Sequence, residues 1–137
     1  MRFMVIVKAS ADSEAGVMPT TELLTAMGRF NEEMVRAGVM VAGEGLQPSS
    51  KGARVHFTEA EPKITRGPFP DPQSLIAGFW LIEVGSLDEA ISCMKRAPFP
   101  SGDAIEIRQV FSAEDFGEAL TPELREQEQR LRAGLSS

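Results

Sequence analysis

The segment Leu75-Ile76-Ala77-Gly78-Phe79-Trp80-Leu81-Ile82-Glu83-Val84 is the strongest constraint in this chain. So long an apolar run, bounded by turn residues and rich in aromatic and β-branched side chains, reads as a buried strand. It follows a turn-like interruption, Arg66-Gly67-Pro68-Phe69-Pro70-Asp71, where glycine and two prolines break regular pairing. A second apolar strand opens the chain. Arg2-Phe3-Met4-Val5-Ile6-Val7-Lys8 is apolar on both alternating faces, as in a central strand covered on two sides. A fold with two such strands needs layers to cover them.

The spacing supplies the helices. Thr20 can cap a helix in which Leu23, Met27, Phe30 and Met34 form one apolar face, with Gly38 as its stop. Ser86-Leu87-Asp88-Glu89 matches a capping box, starting a helix from about Leu87 to Ala97 that Pro98 prevents from continuing. Val39 to Ala42 is a short strand, with a turn expected at Gly43-Glu44-Gly45 and loop from Gln47 to Gly52. Ala53 to Phe57 alternates and is expected to be half-buried, with Val55 and Phe57 on the inner face. Lys63 to Arg66 is a hairpin strand, and Ala104 to Val110 a last strand with Ile105 and Ile107 on one face and Glu106 and Arg108 on the other. Thr121 to Ala133 is a terminal helix too polar for a core element. This order predicts an α+β, ferredoxin-like sandwich with an inserted β-hairpin. Residues 1–137 form a single domain in which 118–137 are a C-terminal helical extension. Two amphipathic helices cover only one face of the sheet, so a homodimer is expected to bury the other.

Composition narrows the partners. At 137 residues, 42% apolar, the chain can bury a core unaided, and its net charge of −6 opposes binding to a phosphate backbone. Cys93 is the single cysteine, so neither an internal disulfide nor a cysteine-based metal site is available. No run approaches the roughly 20 apolar residues of a membrane span. The expectation is a cytoplasmic protein without metal or nucleotide cofactor, since none of the glycines form a phosphate-cradling loop.

Gly67-Pro68-Phe69, Leu75 to Val84, Asp88-Glu89-Ala90, Ala97-Pro98, Ile105-Glu106-Ile107-Arg108 and Glu114-Asp115-Phe116, in that order and spacing, resemble the YCII-related proteins, in the branch named for a DGPF motif. The resemblance spans roughly residues 1 to 117. It implies a ferredoxin-like fold paired into a dimeric α/β barrel, and it leaves activity open, because fold does not determine function. Some relatives belong to transcription-initiation contexts, and some act as small lyases, for instance in dehydrochlorination. The chain departs from the motif at Arg66, where the family has aspartate, and at Asp71-Pro72-Gln73-Ser74, where the family has an acidic-Thr-Lys-Glu run. The catalytic branch carries a histidine after the first strand with an aspartate partner. No histidine stands between Ala9 and Leu24, so that pair does not carry over.

Each candidate site residue has two readings. His56, the one histidine, titrates near neutral pH and suits a general base, or is an ordinary strand residue. Asp71 is a base or a turn acceptor. Glu106 and Arg108 hold a polar ligand, the guanidinium facing a carboxylate, or form an ion pair at a dimer interface; in either role Arg108 is expected to be partly buried. Arg66 draws an anion to a pocket mouth or sits on a solvated hairpin. Trp80 walls a pocket or packs in the core. Lys8 completes the polar lining. Two functions follow: a small-molecule binder, with cofactor-independent lyase or isomerase chemistry in a cavity on the sheet face, or a non-catalytic regulatory dimer. An open cavity with convergent polar groups separates the first from the second.

Overall fold

A computed structural model describes residues 1–135. Strand β1 (Arg2–Lys8) is followed by a one-turn helix α1 (Ala11–Glu14), helix α2 (Thr21–Arg36) and strand β2 (Met40–Gly45). A hairpin of β3 (Ala53–His56) and β4 (Lys63–Arg66) precedes β5 (Ile76–Glu83), α3 (Leu87–Met94), β6 (Ile105–Gln109) and α4 (Pro122–Ala133). The main sheet runs β2-β5-β1-β6, with every neighbouring pair antiparallel. With the hairpin set aside, this is the ferredoxin-like order. The single chain's sheet is open and does not close into a barrel.

Local chemistry sets the helix ends. The Thr20 hydroxyl accepts from the Leu23 amide at 3.1 Å, and α2 ends where Gly38 turns to φ +71°. There the Val39 amide reaches the Met34 carbonyl at 2.9 Å and the Gly38 amide that of Val35 at 3.0 Å, the paired bonds of a Schellman motif. At α3 the Ser86 hydroxyl caps the Glu89 amide at 3.1 Å, while the Glu89 carboxylate passes over Ser86 to take the Gly85 amide at 2.8 Å. The expected box is therefore one residue wider.

One face of the sheet carries the core. Phe3 and Val5 of β1 and Trp80 and Ile82 of β5 pack with Phe30 and Met34 of α2 and with Ala90 and Met94 of α3. Burying each of the larger of these side chains contributes roughly 1.5–3 kcal/mol. Strand alternation sends Met4, Ile6, Ala77, Phe79 and Leu81 to the opposite face, where no helix lies and each is only half-buried.

Two strand expectations change. Gly43 to Gly45 is not a turn but the second half of β2, where Glu44 pairs with Phe79 and Gly45 with Gly78. Glycine is what that pairing needs, since a Cβ on Gly78 would stand 2.8 Å from the Glu44 carbonyl oxygen. The β3 strand is not half-buried: Val55 is 50% exposed and Phe57 83%, because the hairpin pairs only with itself and stands away from the main sheet. Among the described residues no helix is long and apolar enough to cross a membrane.

The polar terminal helix behaves as its composition predicts. Helix α4 starts at a Thr121 cap, buries no residue, and is tied back by an Arg125–Glu114 pair at 3.7 Å that solvent screens. Removal of residues 121–137 is therefore expected to leave one cooperative thermal transition, with the midpoint by circular dichroism moved by less than about 4 °C. Loss of that transition would place α4 in the core.

Candidate functional site: a cleft beside Trp80

Three glycines and one indole shape the space between α2 and the sheet. Gly43 lies under the Trp80 ring, and a Cβ there would meet Trp80 Cδ1 and Met40 Cε, each at 2.8 Å. The indole is held edge-on between Phe30, at a 5.8 Å centroid distance, and Phe99, at 6.0 Å. Its Nε1 donates to Asn31 Oδ1 at 2.9 Å. At Gly45, by contrast, a Cβ would meet nothing within 4 Å.

That open space is part of a cleft of about 470 Å³. Leu23, Leu24, Met27 and Asn31 of α2 form one wall; Gly43, Gly45, Gly78 and Trp80 form the sheet side; Phe99 and Pro100 close a third. The lining is mainly apolar. Its charged residues Lys8 and Asp103 are exposed, which puts them at the rim, while Glu44, paired with Phe79, turns its side chain to the opposite face of the sheet. Pairing beyond Val7 is irregular, so that Lys8 faces Ile76 at the cleft end of β1.

The segment bearing α1 borders this cleft through Ser10, Ser13 and Pro19. One side chain ties it to the inserted hairpin. Glu14 accepts from the Ser49 amide at 2.9 Å and from the Ser49 hydroxyl, whose oxygen accepts in turn from the Phe69 amide at 3.0 Å. The Ser49 hydroxyl and then its amide hold the Glu14 carboxyl below the usual carboxylate range. Gly67 packs so closely on the Ser49 carbonyl that any Cβ would overlap it. Arg54 of β3 covers the Phe69 ring, 3.8 Å from its centroid.

Trp80 and Lys8 are brought together in the cleft, and the other sequence candidates lie elsewhere. Arg108 and Glu106 occupy the sheet face turned away from the helices, across from Met4 and Ile6, and pair with each other at 3.3 Å. The expected burial of Arg108 does not occur in the single chain: its side chain is 70% exposed, because no layer covers that face. The cleft described above lies on the helix side of the sheet, away from this pair. His56 and Arg66 lie on the exposed hairpin, opposite Lys63 and Ala53. Asp71 accepts from the Gln73 amide at 3.1 Å, the role of a turn acceptor. Among the described residues no group of three or more potential metal ligands converges.

Sequence reasoning missed Asn31, Glu14 and Ser49. Asn31 carried a signal, since it lies four residues after Met27 and three before Met34, a polar side chain within the apolar stripe of α2. Glu14 and Ser49 carried none, because their contact joins a one-turn helix to a segment 35 residues further along the chain.

The chain matches the YCII-related domain family over residues 1–114. It belongs to that family. No curated protein sequence matches it. Among solved structures, the 5-chloro-2-hydroxyhydroquinone dehydrochlorinase TftG from Burkholderia phenoliruptrix AC1100, in complex with 2,5-dihydroxybenzoquinone, is similar at 16% identity, over 81% of this chain and 94% of that one, with a TM-score of 0.40. In this YCII-related chain the match ends at Glu114, before α4 begins.

The Glu14–Ser49 latch makes a testable pair of readouts. Its carboxylate form favours the fold above the ordinary carboxylate range, and that contribution disappears as pH falls through the lowered Glu14 pKa. Ser49→Ala is expected to return the Glu14 carboxyl toward its ordinary titration range by NMR. Exchange of the Phe69 amide should rise about tenfold with its acceptor gone. Unchanged titration and exchange would remove the latch.

Proposed function

We propose that this YCII-related protein binds a compact, largely apolar small molecule with a polar end in the cleft between α2 and the sheet. The observation that carries this reading is the cleft itself: about 470 Å³ of open space against the indole of Trp80, with polar groups confined to Asn31 and the rim. Most small-molecule sites share that design, an apolar body with few polar groups. The ionisable rim groups Lys8 and Asp103 equip the site for proton transfer without a cofactor, of the lyase or isomerase kind. A purely regulatory dimer would gain nothing from keeping this space open.

The protein acts as a homodimer in this proposal, a second copy covering Met4, Ile6, Phe79 and Leu81. The support is the uncovered apolar strip on the sheet, whose burial would be favourable. Arg108, Glu106, Arg66, His56 and Asp71 then belong to the interface side and the hairpin rather than to the cleft. A single free cysteine, Cys93, fits a reducing, cytoplasmic setting.

Trp80 is the one tryptophan, so the energy donor is fixed at the cleft wall. Saturable energy transfer to 8-anilinonaphthalene-1-sulfonate, at one site per chain, is expected. Gly45→Phe, which grows a ring into open space, should abolish it while leaving the melting transition in place. Binding undisturbed by that ring would sink the reading. Light scattering tests the pairing separately: a folded monomer at micromolar concentration rules out the covered face.

A further inference from the structure

Asn31 is polar, half-buried, and set in the apolar wall of the cleft. Its orientation is not arbitrary. The indole N–H of Trp80 can only donate, so the Asn31 atom 2.9 Å from it is the carbonyl oxygen Oδ1. The amide nitrogen, with two donor hydrogens, is thereby turned the other way, and it makes no hydrogen bond among the described residues. Nor is it sealed in. Among those residues no side-chain nitrogen or oxygen of a covered residue is both shut off from solvent and without a partner. The Asn31 nitrogen is therefore reachable, and Asn31 is part of the cleft wall.

We infer that the Asn31 amide is the specificity-determining donor of the cleft, selecting ligands that bring an acceptor oxygen, a carbonyl or carboxylate, to the Trp80 end. This rests on the ligand-binding reading of the cleft and deepens it. The indole locks the amide, so that donors alone face the ligand. A molecule presenting an acceptor gains a hydrogen bond among apolar neighbours such as Met27 and Phe99. One presenting a donor or a hydrocarbon edge leaves the N–H groups unpaired on binding, which is the larger penalty. Lys8 adds a second donor at the rim, outside the range in which orientation is fixed.

The matched probes 1-indanone and indane differ by one carbonyl oxygen and test this directly. The sole indole N–H gives one nitrogen-15 correlation peak that follows both titrations. The expected result is a preference of about three- to tenfold for 1-indanone, one hydrogen bond's worth. Asn31→Asp keeps an acceptor for Trp80 and loses both donors. It should erase the preference by weakening 1-indanone alone, with the indole peak still at its hydrogen-bonded position. In the unaltered protein the Asn31 side-chain amide peaks should move with 1-indanone and stay still with indane, a readout independent of any variant. A preference that survives Asn31→Asp, or amide peaks that ignore 1-indanone, overturns the inference while leaving the cleft a binding site. Failure of either probe to perturb the indole peak overturns the binding reading, and this inference with it.

Discussion

The Trp80 indole, fixed at three edges, is the constraint on which the helix side of this protein depends. Phe30 and Phe99 meet it edge-on, Gly43 lies flat beneath it, and Asn31 takes its one polar atom. Each contact answers a separate requirement: aromatic edges suit the ring quadrupole, a missing side chain makes room for its width, and an acceptor satisfies an otherwise stranded N–H. The ring is 6% exposed, yet it forms part of the cleft. A rigid wall is the result, and the same contacts that stabilise the fold set the orientation of the amide beside it.

The second constraint is asymmetry. A four-stranded sheet with both helices on one side leaves an apolar strip on the other, and that strip is flanked by the exposed Arg108–Glu106 pair. Exposed pairs of this sort contribute little by themselves. Their energetic weight would rise only under a covering layer, where losing one partner strands a charge. The two faces thus differ: packing and the cleft lie on one, an uncovered apolar strip on the other.

Much of this was legible in the sequence, and the failures share a cause. The central strands, the caps at Thr20 and Ser86, and the ferredoxin-like order follow from periodicity and side-chain chemistry close along the chain. The family match over residues 1–114 agrees with the resemblance carried by the segments from Gly67 to Phe116. Where reasoning went astray, the decisive partner was distant. Gly43 to Gly45 looks like a turn until Trp80 and Gly78 are placed against it. Arg108 looks destined for burial because strand alternation tells which face it takes, but not whether that face is covered. Asn31 is a polar residue in an apolar stripe whose meaning depends on an indole N–H far along the chain.

Ser49 joins three parts of the chain that are otherwise separate: the short helix at the cleft, the loop leaving β2, and the turn that follows the hairpin. The hairpin itself is wet on nearly every residue and contributes nothing to the core. A projecting two-stranded arm, anchored at its base by a joint shared with the cleft border, is a lever in the mechanical sense. A force applied to the arm at Val55 or Ile64 would reach the segment beside the cleft through the hydrogen bonds of Ser49. A change in the arm's length or outer surface would act on the cleft border through this joint without repacking a single buried side chain.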